Sequence, residues 1–586
     1  MPRQPSSKSG FAHRRDFLRD ASLALSGVLL CNSNIAAAKK PILPQVGVDR
    51  STLMGALPTL QYDVVVYGGT AAGVMAAYAT KMYGLHTLLI EPGRHIGGMT
   101  SGGLGATDTG GEDEYITGLS QEFYLRLGQY YGQQGPVYRF EPHVAELILK
   151  EYLDEAGVEV LFSRRLQAVE TENDSINSMT LAYSEDASKQ AVQVSAYQFI
   201  DATYEGDLMA QSGVSYTTGR ESNSIYQEIY NGVIPGREAG PYGETVRTRE
   251  WGADVDPYVV PGKPSSGLLP EVNGIGHAAI GTGDDKIQAY CFRLCLTQDR
   301  KNQIPLQEPE GYDPYRYELL ARLQALKPWT RLRNGFNIAM MPNGKTDINN
   351  YGLVGFSSNY VGGNYDYPEG DYLTRSEVWQ AHKVYQQGLW WFLGTDERVP
   401  KVVRDEVHSW GYCRDEFRNT QGWPHQLYIR EARRMVSDFV MTEHECVGHR
   451  PVRDGIAKGG YALDSHVVQR VVVNDHVENE GNISVKGFDP YLISYRSIIP
   501  KEGEIDNLYV PVCVSASHAA YGSLRMEPVF MALGHAAGVA ASLAMKKSKA
   551  AQQVPVSSIQ GELRDNPLVN RKVPDGLADI LSFRTE

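Results

Sequence analysis

The chain has 586 residues, of which 42% are hydrophobic and 21% are charged, and its formal net charge is -13. This length predicts more than one hydrophobic core, and the composition is ordinary for a globular protein. The negative charge argues against a surface that binds nucleic acid or anionic membranes, so we expect no nucleic-acid partner.

The N-terminus has the pattern of an export signal. Arg14 and Arg15 form a twin-arginine motif, followed by an apolar segment from Ala21 to Leu30 that is too short to span a bilayer. Small residues precede a cleavage site that we expect after Ala38. The pattern predicts a periplasmic or extracytoplasmic protein exported by the twin-arginine route, with no stable membrane insertion after cleavage.

Six cysteines are present, and one of them lies in the predicted signal. The other five form no C-x-x-C pair and cannot all pair with one another, so the sequence predicts neither a zinc site nor a disulfide framework. We expect buried free thiols and no metal.

The region from Tyr62 to Gly103 carries the most informative pattern. A β-branched strand, Val64 to Val66, enters a glycine turn, and an alanine-rich helix is predicted over Ala71 to Met82. A second apolar strand, Thr87 to Ile90, ends on Glu91. This order is typical of a dinucleotide-binding βαβ unit. The turn and the helix N-terminus present N–H groups to a pyrophosphate, and the acid accepts hydrogen bonds from a ribose hydroxyl.

The glycine turn departs from the usual fingerprint at its third position. The first and sixth positions are Gly68 and Gly73, but the third is Thr70. We predict that the Thr70 hydroxyl is offered to the phosphates. The alternative is an ordinary strand–loop–helix crossover, which the placement of Glu91 disfavours.

The next elements return to the same predicted site. After a glycine- and acid-rich loop, helices are predicted over Gly118 to Tyr131 and Pro142 to Ala156, followed by a strand over Val158 to Phe162 and a hairpin through Gln198. The segment Phe199 to Ala210 is a second strand-to-helix junction, which we expect to bring another chain segment to the cofactor.

The character of the chain changes after about Ser215. The following region is rich in Tyr, Trp, Asn, Gly and Pro, with few long periodic helices apart from those predicted over Tyr315 to Leu326 and Ser376 to Leu393. A buried strand is then predicted over Leu508 to Val514. A Ser/Gly-rich loop leads to a final helix over Glu527 to Lys546, whose N-terminus favours an anionic group.

Several sequence blocks together resemble the FAD-dependent oxidoreductase family of the glutathione-reductase-like superclass, distantly allied to the fumarate reductase flavoproteins. The resemblance covers most of residues 60 to 560. Its main blocks are Y-G-G-T-A-A-G (67–73), I-G-G-M-T-S-G-G-L (96–104), D-A-T-Y-E-G-D (201–207), L-Y-I-R-E-A-R-R-M (427–435), Y-A-L-D-S-H (461–466) and S-A-S-H-A-A-Y-G-S-L-R-M-E-P (515–528). One departure is Ser494, where a proline is more usual.

The resemblance implies an α/β fold with a Rossmann-like FAD-binding domain of the glutathione-reductase type. That domain is expected to be discontinuous, with an inserted α+β substrate domain. The predicted boundaries are 1–38 for the signal, 39–60 for a linker, 61–214 and 501–550 for the FAD-binding domain, 215–500 for the substrate domain and 551–586 for a C-terminal extension.

The expected cofactor is FAD, and the residues expected to bind it come from all of these blocks. They are Gly68, Gly69, Thr70, Ala72, Gly73, Glu91, Gly97, Gly98, Met99, Thr100, Leu166, Ala202, Thr203, Gly206, Asp207, Arg525, Glu527 and Gly538.

The chemistry needs a base and a group that fixes the substrate. His518 is our first candidate for the base, although a histidine hydrogen-bonded into its loop is the alternative. His466 is the second candidate, with Asp464 as its orienting acid, and a structural role at the end of a strand is the alternative. The candidate anion or hydroxyl clamps are arginines, with Arg293 and Arg496 assigned to catalysis and the others being Arg430, Arg433, Arg434 and Arg525. We predict that Arg430, Arg433 and Arg434 lie on one helix.

The function that follows is an exported FAD-dependent oxidoreductase of the dehydrogenase type, which transfers hydride to flavin N5. A small polar substrate is expected, sugar-like or hydroxylated, together with an electron acceptor that the sequence does not identify. The alternatives are a flavin-dependent monooxygenase, which normally needs NAD(P)H, and a non-catalytic flavin-containing binding protein.

Overall fold

The computed structural model describes residues 59–110, 113–186, 188–235, 251–350 and 355–585. The predicted signal and nearly all of the predicted linker lie outside these residues, and the first strand already begins at Thr59. These described residues belong to one compact unit.

The strands are β1 (Thr59–Tyr67), β2 (Thr87–Glu91), β3 (Glu159–Phe162), β4 (Arg164–Glu172), β5 (Ser175–Tyr183), β6 (Val192–Asp201), β7 (Tyr216–Thr217), β8 (Gly274–Ile275), β9 (Leu296–Thr297), β10 (Gln303–Pro305), β11 (Phe336–Met340), β12 (Thr346–Asn350), β13 (Gly411–Cys413), β14 (Arg434–Met435), β15 (Gly455–Gly459), β16 (Leu463–Ser465), β17 (Gln469–Val473), β18 (His476–Glu480), β19 (Ile483–Val485), β20 (Tyr491–Ser494) and β21 (Leu508–Tyr509).

The α-helices are α1 (Ala71–Met82), α2 (Gly118–Tyr130), α3 (Pro142–Ala156), α4 (Asp207–Gln211), α5 (Asn223–Tyr226), α6 (Glu318–Leu326), α7 (Tyr372–Thr395), α8 (Lys401–Val407), α9 (Glu443–Cys446), α10 (His518–Leu524), α11 (Glu527–Lys547), α12 (Val556–Asp565) and α13 (Ala578–Leu581).

The central sheet has seven strands in the order β3-β2-β1-β6-β5-β4, and β21 adds to β6. Strands β1, β2, β3, β6 and β21 pair in parallel, whereas β4 and β5 join as an antiparallel hairpin. Because β1, β2 and β6 are parallel, their carboxyl ends at Tyr67, Glu91 and Asp201 meet at one edge. The predicted α/β fold is confirmed, and the structure shows that its central sheet is largely parallel.

Helix α11 packs directly on helix α1 through glycines. A Cβ on Gly534 would lie 2.1 Å from the Ala72 carbonyl oxygen, and one on Gly538 would lie 2.7 Å from that of Ala76. Among the described helices, α11 is the one long and apolar enough to cross a membrane, and 94% of its apolar segment is buried inside the protein. The small residues therefore let two backbones approach each other closely.

Two elements near the C-terminus differ from the prediction. Only Leu508–Tyr509 of the predicted strand pairs with the sheet, because the next residue, Val510, donates its N–H to the Ile498 carbonyl at 2.8 Å. The predicted loop contains helix α10, which begins at His518 and is capped by the Ser517 hydroxyl, the acceptor from Ala520 N–H at 3.2 Å.

The prediction of a helix around Arg430 was wrong. Arg434–Met435 form strand β14, which pairs with β7, and Tyr428 N–H donates to the Cys291 carbonyl at 3.0 Å. Partners distant in the sequence hold this segment extended, and they override its local helical spacing. The five cysteines outside the predicted signal are buried and free, as predicted.

We predict that Gly534→Ala destabilises the protein by about 1–3 kcal/mol, because the new methyl group overpacks the contact between α11 and α1. Gly561→Ala, on helix α12, is the matched control, since a Cβ there would meet no atom nearer than 4.0 Å. Urea unfolding midpoints measure both effects. Equal stability of the two variants would contradict the close contact.

Candidate cofactor and active site

In the first glycine turn, from Gly68 to Gly73, backbone atoms lie unusually close to one another. Gly68 has φ of 103° and donates its N–H to the Ile90 carbonyl at 2.8 Å. A Cβ on Gly73 would lie 1.9 Å from the Gly68 carbonyl oxygen. Only glycine lets helix α1 start this close to the strand that precedes it.

Glu91 ties the end of β2 to this turn. Its Oε2 accepts from Gly69 N–H at 2.8 Å, and its Oε1 accepts from Gly93 N–H at 2.5 Å. Burial raises the pKa of Glu91 to about 7, although the two backbone hydrogen bonds oppose this. A carboxylate has about four lone-pair sites, so further acceptor positions remain for a hydroxyl ligand.

The Thr70 hydroxyl has a structural task rather than the predicted contact with phosphates. It donates to the Ala202 carbonyl at 2.8 Å and accepts from Gly73 N–H at 3.2 Å, which makes it the N-cap of α1. The threonine therefore joins the first turn to the junction after β6. Ala72, which we expected at the cofactor, lies beneath α11 at Gly534.

The block I-G-G-M-T-S-G-G-L (96–104), which we call the cofactor block, reaches the start of helix α11. Gly97 N–H donates to the Gly69 carbonyl at 2.7 Å, next to the first turn. Met99 N–H donates to Tyr204 Oη at 2.8 Å, and Thr100 Oγ1 donates to Glu527 Oε2 at 2.5 Å.

Glu527 is shared by two blocks, because Tyr204 Oη also donates to its Oε1 at 2.9 Å. Burial raises the pKa of Glu527 to about 7, and the hydrogen bonds from Thr100 and Tyr204 oppose the shift. A Cβ on Gly98 would lie 2.4 Å from Tyr204 Oη. The segment 97–100, the junction 202–206 and the α11 N-terminus therefore meet.

The junction after β6 is held by its own acid. Asp201 Oδ1 accepts from Thr203 N–H at 3.1 Å and from its hydroxyl at 2.6 Å, and Gly206 N–H donates to the same hydroxyl at 3.0 Å. Burial raises the pKa of Asp201 to about 6. Asp207 faces elsewhere, because its carboxylate pairs with Arg375 and Arg433 at 2.6 and 2.8 Å.

Two residues expected at the cofactor have other contacts. Leu166 N–H donates to Tyr67 Oη at 3.0 Å and its carbonyl accepts from Tyr372 Oη at 3.1 Å, so its backbone groups are satisfied by tyrosines. Gly538 lies eleven residues into α11, about 16 Å from its start at 1.5 Å per residue, against helix α1. These contacts disfavour the expected cofactor roles of Leu166 and Gly538, which stay predictions.

The remaining geometry fits a dinucleotide. The first turn of α1 contains no acidic residue, so no side chain of that turn neutralises the positive helix end that a pyrophosphate would meet. A Cβ on Gly69 would lie 2.8 Å from Glu91 Oε2, which brings bare backbone next to the acid for a ribose. The chain thus offers both an anion site and a hydroxyl acceptor at one sheet edge.

His518 is placed in a buried charged cluster. Its Nδ1 lies 2.8 Å from Glu431 Oε2, and its Nε2 lies 3.2 Å from Ser465 Oγ. Glu431 also pairs with Arg434, which reaches Glu221 at 2.6 Å. Burial alone raises the pKa of Glu431, but the charges of His518 and Arg434 outweigh it and bring the pKa to about 2. Both ring nitrogens of His518 therefore have protein partners.

His466 lies on the side of the start of α11. Its Nε2 is 3.2 Å from Asp464 Oδ2, the same oxygen that accepts from Arg525 Nη2 at 3.1 Å. Its Nδ1 is 3.3 Å from Asn359 Nδ2. Arg525 immediately precedes Met526, the N-cap of α11. The predicted orienting role of Asp464 thus has a matching geometry.

The two arginines assigned to catalysis have different surroundings. Arg293 is 5% exposed and holds Asp347 through two hydrogen bonds of 2.7 and 2.6 Å. The side chain of Arg496 is 48% exposed, pairs with Asp454 at 2.8 Å and lies over the ring of Phe439. Arg496 thus forms a surface ion pair, which disfavours the predicted catalytic role.

Sequence reasoning missed two tyrosines of the site. Tyr204 joins Met99 to Glu527, and Tyr428 lies among buried arginines. Both are inside blocks that carry the family resemblance, D-A-T-Y-E-G-D and L-Y-I-R-E-A-R-R-M. Their position within these blocks was the available signal.

One acidic cluster has the geometry of a cation site. The ligand atoms of Glu141, His143 and Glu416 lie within 4.8 Å of one another. The ammonium of Lys345 lies 2.7 Å from Glu141 Oε1 and 2.6 Å from Glu416 Oε1. A lysine side chain thus supplies the positive charge at this position.

Solved flavoprotein structures show a limited likeness to the chain. The OxyS anhydrotetracycline hydroxylase from Streptomyces rimosus is 15% identical with a TM-score of 0.21, over 32% of this chain and 40% of that one. A 3-ketosteroid-Δ4-(5α)-dehydrogenase from Rhodococcus jostii RHA1 is 15% identical with a TM-score of 0.19, over 27% and 50%. The flavin-dependent monooxygenase PieE, in complex with FAD and substrate, is 18% identical with a TM-score of 0.21, over 28% and 34%.

The chain therefore spans half or less of the length of each of these proteins. Their activities imply nothing about the activity of this chain. Among curated proteins, none shows significant sequence similarity to the chain. The sequence profile of the FAD dependent oxidoreductase family matches residues 63–563. With that match over most of its length, the chain belongs to the FAD dependent oxidoreductase family and is an enzyme that uses FAD.

Proposed function

We propose that the protein is an exported dehydrogenase that oxidises a small polar, hydroxylated substrate. The observation that carries this proposal is the series of contacts from His466 through Asp464 to Arg525. It joins an imidazole, a carboxylate and a guanidinium at the start of α11, where Thr100 of the cofactor block also contacts Glu527. A base and a cation thus lie beside the segments that bind the cofactor.

FAD supplies the two-electron acceptor chemistry when it is bound. The first glycine turn and the N-terminus of α1 would hold its pyrophosphate, and Glu91 would accept a ribose hydroxyl. Residues 97–100 and the start of α11 would hold the other half of the molecule. These residues position the cofactor and leave the proton chemistry to side chains.

His466 takes the proton from the substrate hydroxyl in this proposal. Asp464 accepts the Nε2–H, which fixes the tautomer and leaves the lone pair on Nδ1. The substrate hydroxyl replaces the Asn359 amide at that nitrogen. Asp464 then stabilises the imidazolium, and Arg525 limits the cost of burying the acid.

His518 has a positioning role in this scheme. Its contact with Ser465, the residue before His466, supports the end of β16. Its ion pair with Glu431 joins this strand end to the extended segment that carries Arg434. The base is therefore reassigned from His518 to His466.

The glutathione-reductase-type arrangement, with residues 215–500 as an inserted substrate domain, is also part of our proposal. The pairing of β21 with β6 and the packing of α11 on α1 support it, because residues after 500 return to the first sheet. Export by the twin-arginine route is supported by Arg14 and Arg15. The electron acceptor is expected to be a separate molecule.

Anaerobic mixing of the holoenzyme with sugars and hydroxy acids tests the proposed reaction. Bleaching of the flavin absorbance by a hydroxylated compound without NAD(P)H supports a dehydrogenase. Reduction only by NAD(P)H indicates a monooxygenase, and no reduction by any of these compounds indicates a binding protein.

We predict that Glu91→Ala weakens FAD binding by about 10- to 150-fold, because a hydrogen-bonded carboxylate contributes about 1.5–3 kcal/mol. Flavin released during dialysis and fluorescence titration of the apoprotein measure this change. Asp63→Ala is the control, since Asp63 accepts from His86 N–H at the other end of the same strand pair. Equal FAD affinity of the two variants would show that Glu91 does not bind the cofactor.

We expect His466→Gln to slow flavin reduction by about 10²–10⁴-fold, the usual contribution of a positioned base, while FAD stays bound. Stopped-flow absorbance measures the rate. His476→Gln on β18 is the control, and its rate should match that of the wild type. A normal rate in His466→Gln together with a slow rate in His518→Gln would return the base to His518.

Replacement of both Arg14 and Arg15 with Lys should block export and leave the precursor in the cytoplasm. The wild type should yield mature protein beginning at Lys39 outside the cytoplasm. Arg19→Lys is the matched control within the same segment. Cell fractionation with N-terminal sequencing measures the location and the first residue of each protein. Normal export of the double variant would exclude the twin-arginine route.

A further inference from the structure

Three buried arginines surround the ring of Tyr428. Cζ of Arg293 lies 5.4 Å from the ring centroid and Cζ of Arg430 lies 4.4 Å from it. Arg525 Nη1 donates to Tyr428 Oη at 3.2 Å. All four side chains belong to residues that are at most 5% exposed. We call these four residues the arginine cluster.

Each arginine of the cluster has one buried nitrogen without a hydrogen-bond partner in the described part of the chain. These nitrogens are Arg293 Nη1, Arg430 Nε and Arg525 Nε. Buried N–H groups are almost always paired in folded proteins, because an unpaired one loses its hydration without compensation. Three such atoms around one ring indicate a ligand that accepts hydrogen bonds.

The charges of the cluster are only partly balanced. Arg293 pairs with Asp347 and Arg525 pairs with Asp464, but Arg430 forms no ion pair with any described residue. Its donors go to neutral groups, namely the Ala289 carbonyl, Cys291 Sγ and Asn349 Oδ1. A guanidinium that is 1% exposed and lacks a carboxylate is costly to bury.

One further acid faces the cluster. Asp108 lies near Arg293 and Arg525, but its side chain makes no hydrogen bond to either of them in the described structure. Burial raises its pKa, an effect that the two arginines oppose and that Asp347 and Asp464 strengthen. Asp108 therefore forms no hydrogen-bonded ion pair with the cluster in the described structure.

The cluster borders the cofactor segments. A Cβ on Gly103, in the block after Thr100, would lie 2.5 Å from the Arg293 carbonyl oxygen. Ala106 N–H donates to Asp347 Oδ2 at 3.0 Å. Arg525 immediately precedes the N-cap of α11 and contacts the acid partner of His466. An anion bound here would lie beside the proposed base, whereas the cofactor phosphates belong at the first glycine turn.

We propose that the arginine cluster binds a carboxylate of the substrate, so that the enzyme acts on a hydroxy acid rather than on a neutral sugar. This inference rests on the proposed function, whose base it adjoins. The planar guanidinium matches the two oxygens of a carboxylate. The cluster fixes the acid group, and His466 receives the proton of the hydroxyl.

The test uses the holoenzyme with acetate as the anion and acetamide as its neutral counterpart. Binding is followed by the thermal unfolding midpoint and by the perturbation of the flavin absorption spectrum. Arg430→Met removes the unpaired charge, Arg430→Lys keeps a charge at the same position, and Arg496→Gln is a control that changes only a surface pair. FAD content is measured for every variant.

We expect acetate to bind the wild type and Arg496→Gln, and acetamide to bind neither. Acetate affinity should fall by about 10-fold or more in Arg430→Met, because this variant loses a charge-assisted hydrogen bond. The loss of affinity should be smaller in Arg430→Lys. FAD content should be unchanged in both variants. Loss of FAD in both Arg430 variants would mean that the cluster serves the cofactor, and it would overturn the proposal. So would equal binding of acetate and acetamide to the wild type, a measurement that needs no variant to fold.

The two proposals can fail separately. If acetate binds as expected but neither hydroxy acids nor sugars reduce the flavin, the carboxylate site stands and the dehydrogenase function fails. If a neutral sugar reduces the flavin and acetate does not bind, the dehydrogenase function stands and the carboxylate site is refuted.

Discussion

The structure depends on the close approach of helix α11 to helix α1. Gly534 and Gly538 bring the two backbones together, and Gly73 allows α1 to begin against the carbonyl of Gly68. Because α11 is pressed onto α1, its N-terminus is brought to the cofactor block, where Glu527 receives hydrogen bonds from Thr100 and Tyr204. Packing between helices thus sets the position of chemical groups about 16 Å away along the helix axis.

Buried charges form a second layer of organisation. Glu431, Arg434, Glu221 and His518 satisfy one another inside the protein. Such networks are strongly destabilised when one partner is removed, which suits them to hold strand ends in fixed positions. The arginine cluster differs, because its members keep unpaired nitrogens. In our proposal, these nitrogens are the ones available to a ligand, whereas the paired groups support the fold.

The sequence predicted the elements whose causes are local. Helix α1 has the predicted bounds, because its alanines and the turn before it act within a few residues. The segment around Arg430 was mispredicted, because its conformation is set by backbone hydrogen bonds to Cys291 and Cys513. Likewise, nothing near Leu166 in the sequence shows that Tyr67 and Tyr372 occupy its backbone groups. Contacts between distant segments were beyond local reasoning, for the fold and for the site.

The ion pairs of Asp207 constrain how a substrate can enter. Asp207 begins the helix after the cofactor junction, and it holds Arg375 of α7 and Arg433 from the segment before β14. All three side chains are largely buried. A hinge rotation of residues 215–500 away from the sheet would separate these charges at high cost. These ion pairs therefore disfavour a clamshell opening of the segments that carry Arg375 and Arg433 away from the sheet.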